Sequence, residues 1–262
     1  MTKSCSSLSA EQIASFRRDG YLAIEAITSA KELAWMREVY DRLFAERAGR
    51  DEGNQFDLAG TDEEGVPASL PQILSPSKYA PELKETQYWT NTLAIGRQVL
   101  GASAKIDFDH AILKPAGYGA PTPWHQDEAY WDPGLEYQSF SMWMPLQEAT
   151  RENGCMQFLP GSHRFEVVPH HPIGHDPRVH GLEVDEADTS TAVACPLQAG
   201  GATMHHHRTL HHASGNRSAG DRRAYILVVA LPTRKRETPR VFPWVTQRHV
   251  GRAQQAKEGA GD

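Results

Sequence analysis

The sequence predicts a mainly β fold, a barrel or sandwich of antiparallel strands with helices packed on its outside. Two observations carry this expectation. Long stretches with apolar residues at helical spacing lie before Gly101, whereas from Lys105 onward short runs of period two or buried apolar character follow one another. Turn-rich separators such as Glu152-Asn-Gly154 and Leu159-Pro-Gly-Ser162 divide these runs, and no helix alternates with them as a βαβ sheet would require.

Each element has its own local cause. Ser9-Ala-Glu-Gln12 is a capping box that opens a helix over 10–19, and Gly20 stops it. Tyr21 to Ile24 reads as a strand. Ser29-Ala-Lys-Glu32 caps a second helix, whose Leu33, Met36, Tyr40, Leu43 and Phe44 form one apolar stripe for core packing. Residues 48–76 lack periodicity and read as a long irregular segment of the kind that covers a site or is disordered. Pro81 to Leu100 returns to helical spacing through Leu83, Trp89, Leu93 and Leu100. Strands are then expected over Ile106 to Leu113, Tyr137 to Leu146, Cys155 to Leu159, Ala192 to Pro196 and Arg223 to Leu231. A second long connection, rich in His, Pro and Asp, occupies 163–190. These elements make a single domain over 1–232, with a helical part at 9–101 and a β core at 105–232. A basic extension follows over 233–262, with a frayed end from Gln254 to Asp262. The positive charge of that extension reads as a solvated surface, the alternative being contact with an anionic substrate.

Composition narrows the function. The chain has 262 residues, 39% of them hydrophobic, and carries 27 basic against 33 acidic side chains. A net charge of −6 gives no reason to expect nucleic acid or an anionic membrane as a partner. The opening residues lack the apolar core of a signal peptide and no span-length apolar run follows, so a cytoplasmic location is expected. Cys5, Cys155 and Cys195 form no CxxC pair or even-numbered framework and read as free thiols.

Histidine stands out at 13 residues, five of them between His205 and His212. A second cue is His125-Gln-Asp127. On an extended strand residues i and i+2 share a face, so this imidazole and carboxylate can converge on one ion. A second imidazole from the 205–212 run would complete a two-histidine, one-carboxylate set that leaves three octahedral positions open, as in non-haem iron(II) oxygenases. The apolar strand after the next turn opens with Arg222 and Arg223. An arginine at the mouth of an apolar barrel needs a partner, and a dicarboxylate bound bidentately is one.

Several ordered blocks resemble the phytanoyl-CoA dioxygenase family: Trp124-His-Gln-Asp-Glu-Ala-Tyr-Trp131, Met142-Trp143, Glu152-Asn-Gly-Cys155, Leu159-Pro-Gly-Ser-His163, Thr209-Leu-His-His-Ala-Ser-Gly-Asn-Arg-Ser218 and Arg222-Arg-Ala224. The resemblance runs from about Leu8 to Leu231 and includes Phe16-Arg-Arg-Asp-Gly-Tyr21. It implies a double-stranded β-helix, the cupin-like jelly roll, with added helices. The implied activity is oxidation of a small molecule, a hydroxylation above all, driven by iron(II), dioxygen and 2-oxoglutarate. His125 and Asp127 match the family's His-x-Asp ligands, and the carboxylate of Asp127 implies hydroxylation rather than halogenation. Trp143 matches a tryptophan lining the co-substrate pocket, although simple core packing stays open. His211 is taken as the distal ligand because it precedes Arg222 by the family's spacing of eleven residues. The same count prefers Arg222 for the co-substrate. His212 and Arg223 remain the alternatives.

Tyr130 and Trp131 are candidates for the substrate side, with ordinary packing as the alternative. His205, His206 and His207 read as supporting or surface residues, or as a nickel or zinc trap. His110, His163, His170, His171, His175, His180 and His249 read as structural or loop residues. Two other functional classes stay open: a metal-dependent hydrolase and a non-catalytic metal-binding jelly roll.

Overall fold

The computed structural model describes residues 4–63 and 65–247. The first part holds α1 (Ala10–Asp19), β1 (Tyr21–Ile24), α2 (Ala30–Ala45), β2 (Gln55–Asp57), β3 (Pro71–Leu74), α3 (Pro76–Tyr79) and α4 (Gln87–Leu100). Next come β4 (Lys105–Lys114), β5 (Thr122–His125), β6 (Leu135–Glu136), β7 (Ser139–Pro145), β8 (Met156–Phe158), β9 (His171–Pro172) and β10 (Leu182–Glu183). The rest comprises β11 (Val193–Cys195), β12 (Ala202–His206), β13 (His211–Ala213), β14 (Arg222–Ala230), β15 (Arg234–Lys235) and α5 (Pro243–Gln247). The frayed end expected over 254–262, and His249, lie outside the described residues.

Two antiparallel sheets form the body. One has seven strands in the order β1-β12-β7-β14-β4-β3-β2, and the other has four in the order β11-β8-β13-β5. This is the jelly-roll arrangement with helices outside. The pleat of the large sheet sorts its residues into two sets. Phe140, Met142 and Met144 of β7 and Tyr225, Leu227 and Val229 of β14 join the core that α1, α2 and α4 cover. Trp143, Ala224 and Ile226 belong to a second core shared with Met156, Phe158 and Ala213 of the small sheet. Fully burying a side chain such as Leu227 or Met142 contributes roughly 1.5–3 kcal/mol. The Tyr88 hydroxyl then pins α4 to the sheet, donating to the carbonyl of Met142 at 2.6 Å with that of Tyr225 at 3.0 Å.

Several local expectations hold at residue level. Ser9 and Gln12 form the reciprocal cap of α1. Gly20 adopts φ 82°, and a Cβ there would lie 2.3 Å from the His163 ring, so only glycine fits this stop. Two expectations change. The helical run from Pro81 breaks at Thr86, whose extended backbone ends a 3-10 turn and whose hydroxyl caps α4 through the Trp89 amide. Residues 48–76, read as irregular, contain β2 and β3, which extend the large sheet beyond β4. These strands are too short for a period to show, and pairing stabilises them, β3 with β4 and β2 with β3.

Candidate active site

The two sheets enclose a small cavity. From the large sheet His110 and Ile112 of β4, Ser141 and Trp143 of β7, His205 of β12, and Arg222 and Ile226 of β14 line it. Thr122 and His125 of β5, Met156 of β8 and His211, His212 and Ala213 of β13 line it from the small sheet, with Asp127 just past β5. Antiparallel pairing of β13 with β5 sets His211 directly opposite His125. One ligand atom each from His125, Asp127 and His211 lies within 4.8 Å of the others. Asp127 Oδ1 stands 3.8 Å from His125 Nε2 and 3.5 Å from His211 Nε2.

Hydrogen bonds prepare each of these groups to hold a cation. The Nδ1 atoms of His125 and His211 lie 2.8 Å and 2.9 Å from the carbonyls of Pro123 and Thr209. A carbonyl only accepts, so each Nδ1 carries the proton and each Nε2 presents a lone pair toward Asp127. The other carboxylate oxygen, Oδ2, accepts from the Ser141 hydroxyl at 2.7 Å and faces His205 Nε2 at 3.4 Å. Burial pushes both imidazoles down, His211 well below its ordinary value. Burial pushes the Asp127 carboxyl up, yet within this polar cluster it stays well below the usual carboxylate range and is ionised. Two neutral imidazoles and one carboxylate, closing on one point with an open side, fit an octahedral divalent iron.

A buried cation lines the same cavity. Arg222 is 1% exposed, and its Nε and Nη1 atoms have no hydrogen-bond partner. Its guanidinium carbon lies 5.4 Å from the centre of the Trp143 ring. Burial lowers it from 12.5 to about 10, which leaves it charged at neutral pH. A buried, unpaired guanidinium is costly unless a ligand supplies the carboxylate. Arg223 lies on the other face of β14 and binds the Asp41 carboxylate through Nε at 2.5 Å and Nη2 at 3.0 Å. His212 likewise turns from the triad, stacking on Trp124 with its Nδ1 3.3 Å from Gln157 Nε2.

A wider cavity of about 570 Å³ opens beside the triad. Tyr130, Trp131, Tyr137 and Phe108 line it, as do His110, His180 and Gln72. Tyr130 and Trp131, the candidates for the substrate side, are both in this wall. His110 and His180, expected to be structural or loop residues, also line this cavity. The signal for His110 was available, because Phe108, His110 and Ile112 share one face of a period-two strand. His205 and His207 are buried, at 2% exposure each, so the surface reading fails for both. His205 faces Asp127, and His207 Nε2 lies 3.4 Å from a Glu128 oxygen.

Glu128, beside Asp127, was missed altogether. Its side chain is 2% exposed and meets Arg240 in a short hydrogen bond, with Arg208 at 3.6 Å and Arg236 at 3.8 Å. The Trp244 indole donates to the Ala129 carbonyl at 2.8 Å, so the segment after β14 buttresses the turn that carries Asp127. The cations sit 80 or more residues away in sequence, beyond the reach of local patterns. Arg240→Ala is expected to destabilise the fold by about 1.5–3 kcal/mol, the worth of a buried hydrogen bond to a charged group. Urea unfolding checks this.

Acid should weaken the fold in a defined window. Burial holds His110, His170 and His212 down to about 4 each, against an ordinary 6.5. Unfolded, these imidazoles take up protons as pH falls through about 6.5, whereas folded they stay neutral to about 4. Their contribution is therefore full above about pH 6.5 and is lost progressively toward pH 4. Equal urea midpoints at about pH 7 and pH 5 would contradict this linkage.

Comparison with known proteins places this geometry. Residues 16–224 match the family model described as Phytanoyl-CoA dioxygenase (PhyH). The chain is 27% identical to a protein of Stutzerimonas stutzeri named as a probable alpha-ketoglutarate-dependent hypophosphite dioxygenase, covering 84% of this chain and 77% of that one. It is 28% identical to the ectoine dioxygenase of Sphingopyxis alaskensis, over 67% of this chain and 55% of that one. Among solved structures, EvdO2 from Micromonospora carbonacea var. aurantiaca, complexed with 2-oxoglutarate, superposes with a TM-score of 0.78 at 39% identity. That match covers 90% of this chain and 96% of EvdO2. Relatives named as dioxygenases favour an oxygenase over the hydrolase and binding-only alternatives. Among the described residues no helix is long and apolar enough to cross a membrane. With the matched family region spanning most of its length, the chain belongs to the phytanoyl-CoA dioxygenase family of iron(II)- and 2-oxoglutarate-dependent oxygenases.

Proposed function

We propose that this enzyme hydroxylates a C–H bond of a small organic molecule, with His125, Asp127 and His211 holding iron and Arg222 binding 2-oxoglutarate. The observation that carries the assignment is the unpaired guanidinium of Arg222, buried in the same small cavity as the three convergent donors. Iron(II) with 2-oxoglutarate supplies, when bound, the activation of dioxygen by oxidative decarboxylation to succinate.

The chain's own residues supply position and exclusion. Pro123 and Thr209 fix the tautomers of His125 and His211, while Ser141 and His205 hold the outer oxygen of Asp127. Trp143 lies against the Arg222 guanidinium and keeps water from competing for it. Tyr130 and Trp131, with Tyr137 and Phe108, form a wall against which an organic substrate packs. The Tyr130 hydroxyl accepts from the Leu182 amide at 2.7 Å, which fixes that ring in the wall.

Succinate formation from 2-oxoglutarate tests the reading. Turnover is expected with iron(II) and not with zinc(II), and a panel of small organic compounds should contain some that accelerate it. Equal turnover with both metals, or none with either, would reject the assignment. Iron affinity should also hold through neutral pH and fall only below the ordinary histidine value, because burial keeps His125 and His211 unprotonated. Metal release measured against pH checks the direction.

A further inference from the structure

We propose that His171, His175 and Asp185 form a second metal site, separate from the triad, for a divalent cation of the zinc type. One ligand atom from each lies within 4.8 Å of the others. Asp185 Oδ1 is 2.8 Å from His171 Nε2 and 3.5 Å from His175 Nε2. Donors in a tetrahedral zinc site stand about 2.0–2.2 Å from the ion, which puts pairs of them roughly 3–4 Å apart. The two rings are parallel, 7° apart, so turning them out of their stack is what brings this set onto one ion.

The state of His171 is the stronger reason. Its Nδ1 lies 2.8 Å from the Pro172 carbonyl, which only accepts, so Nδ1 carries a proton. Nε2 then faces a carboxylate oxygen with either a second proton or a bare lone pair. Although Asp185 Oδ1 is close, it lies off the direction of a hydrogen bond, and Nε2 has no hydrogen-bond partner. A lone pair against a carboxylate is repulsive, and a shared cation turns both contacts favourable. The second imidazole is stacked on the first, with ring centres 3.7 Å apart, and is brought there by the left-handed backbone of Gly174 (φ 64°) and His175 (φ 57°). Imidazole and carboxylate donors suit zinc(II) better than calcium or magnesium, which prefer all-oxygen sets.

The position gives such an ion a purpose. His171 and Asp185 flank the segment that holds β9 and β10, which pair with each other. Inside it, His180 lines the wide cavity, the Leu182 amide donates to Tyr130, and the Val184 amide donates to the Trp124 carbonyl next to His125. An ion bridging 171, 175 and 185 closes this segment into a loop and fastens one wall of the cavity. His175 and Asp185 are exposed, so the ion enters directly from solvent.

Metal counting on the full chain tests the site. Dialysed with zinc(II), the wild type is expected to bind two equivalents, one at each cluster. His175→Ala and Asp185→Asn should each bind one, while Asp127→Ala with His211→Ala should lose the other equivalent and keep the loop site. Zinc should also slow protease cleavage within 171–185 in the wild type and in the Asp127→Ala/His211→Ala variant, and not in His175→Ala. Both loop substitutions are at exposed side chains, so melting curves of the metal-free proteins should match the wild type. The proposal is overturned if His175→Ala and Asp185→Asn bind as much zinc as the wild type, or if zinc leaves the cleavage rate unchanged. Loss of the equivalent tied to Asp127 and His211 bears only on the iron assignment.

Discussion

Arg222→Met is expected to weaken 2-oxoglutarate binding by about 2–5 kcal/mol, a loss of 30-fold or more, because a buried charge pair is truncated on one side. Methionine retains much of the volume beside Trp143, so the fold should survive and the effect should appear as a raised KM for the co-substrate. The matched control is Arg223→Met. That guanidinium pairs with Asp41, whose side chain is 52% exposed, on the other face of β14, and the change should cost at most about 1 kcal/mol of stability while leaving co-substrate affinity intact. Equal effects of the two substitutions would remove Arg222 from the proposed site.

His211→Ala is expected to lower succinate formation by more than about 100-fold, since loss of a group that merely orients a metal ligand already costs 10- to 100-fold. Iron affinity should fall with it. His212→Ala offers the comparison: its ring stacks on Trp124, away from the three donors, and activity should stay within a fewfold of wild type. If instead His212→Ala abolished iron binding and His211→Ala did not, β13 would present the opposite face to the cavity. A one-residue shift of a strand has that consequence, because it exchanges the two faces. Ser141→Ala should show an intermediate loss, as it frees one oxygen of Asp127 without removing a ligand.

Much of this was legible in the residues because the relevant signals are local. His125 and Asp127 stand two apart, and the helix caps at Ser9 and Ser29 are complete within four residues. Ser139, Ser141 and Trp143 line the two cavities from one face of β7, a period-two pattern that is itself local. What stayed hidden depends on partners remote in sequence. The buried state of His205 follows from β12 pairing with both β1 and β7 in the large sheet. The role of Glu128 depends on Arg236 and Arg240, which reach it only after β14 has returned across the sheet.

By itself, the sequence determined the class of fold, the family and the candidate ligands, since hydrophobic period, turn residues and motif spacing are properties of neighbouring positions. Only the tertiary structure distinguished the members of the adjacent pairs: His211 and not His212 closes on Asp127, and Arg222 and not Arg223 lines the cavity. Neighbours on a strand have the same composition signal and opposite directions, so their difference exists only once pairing with β5 and β7 sets which face is inside.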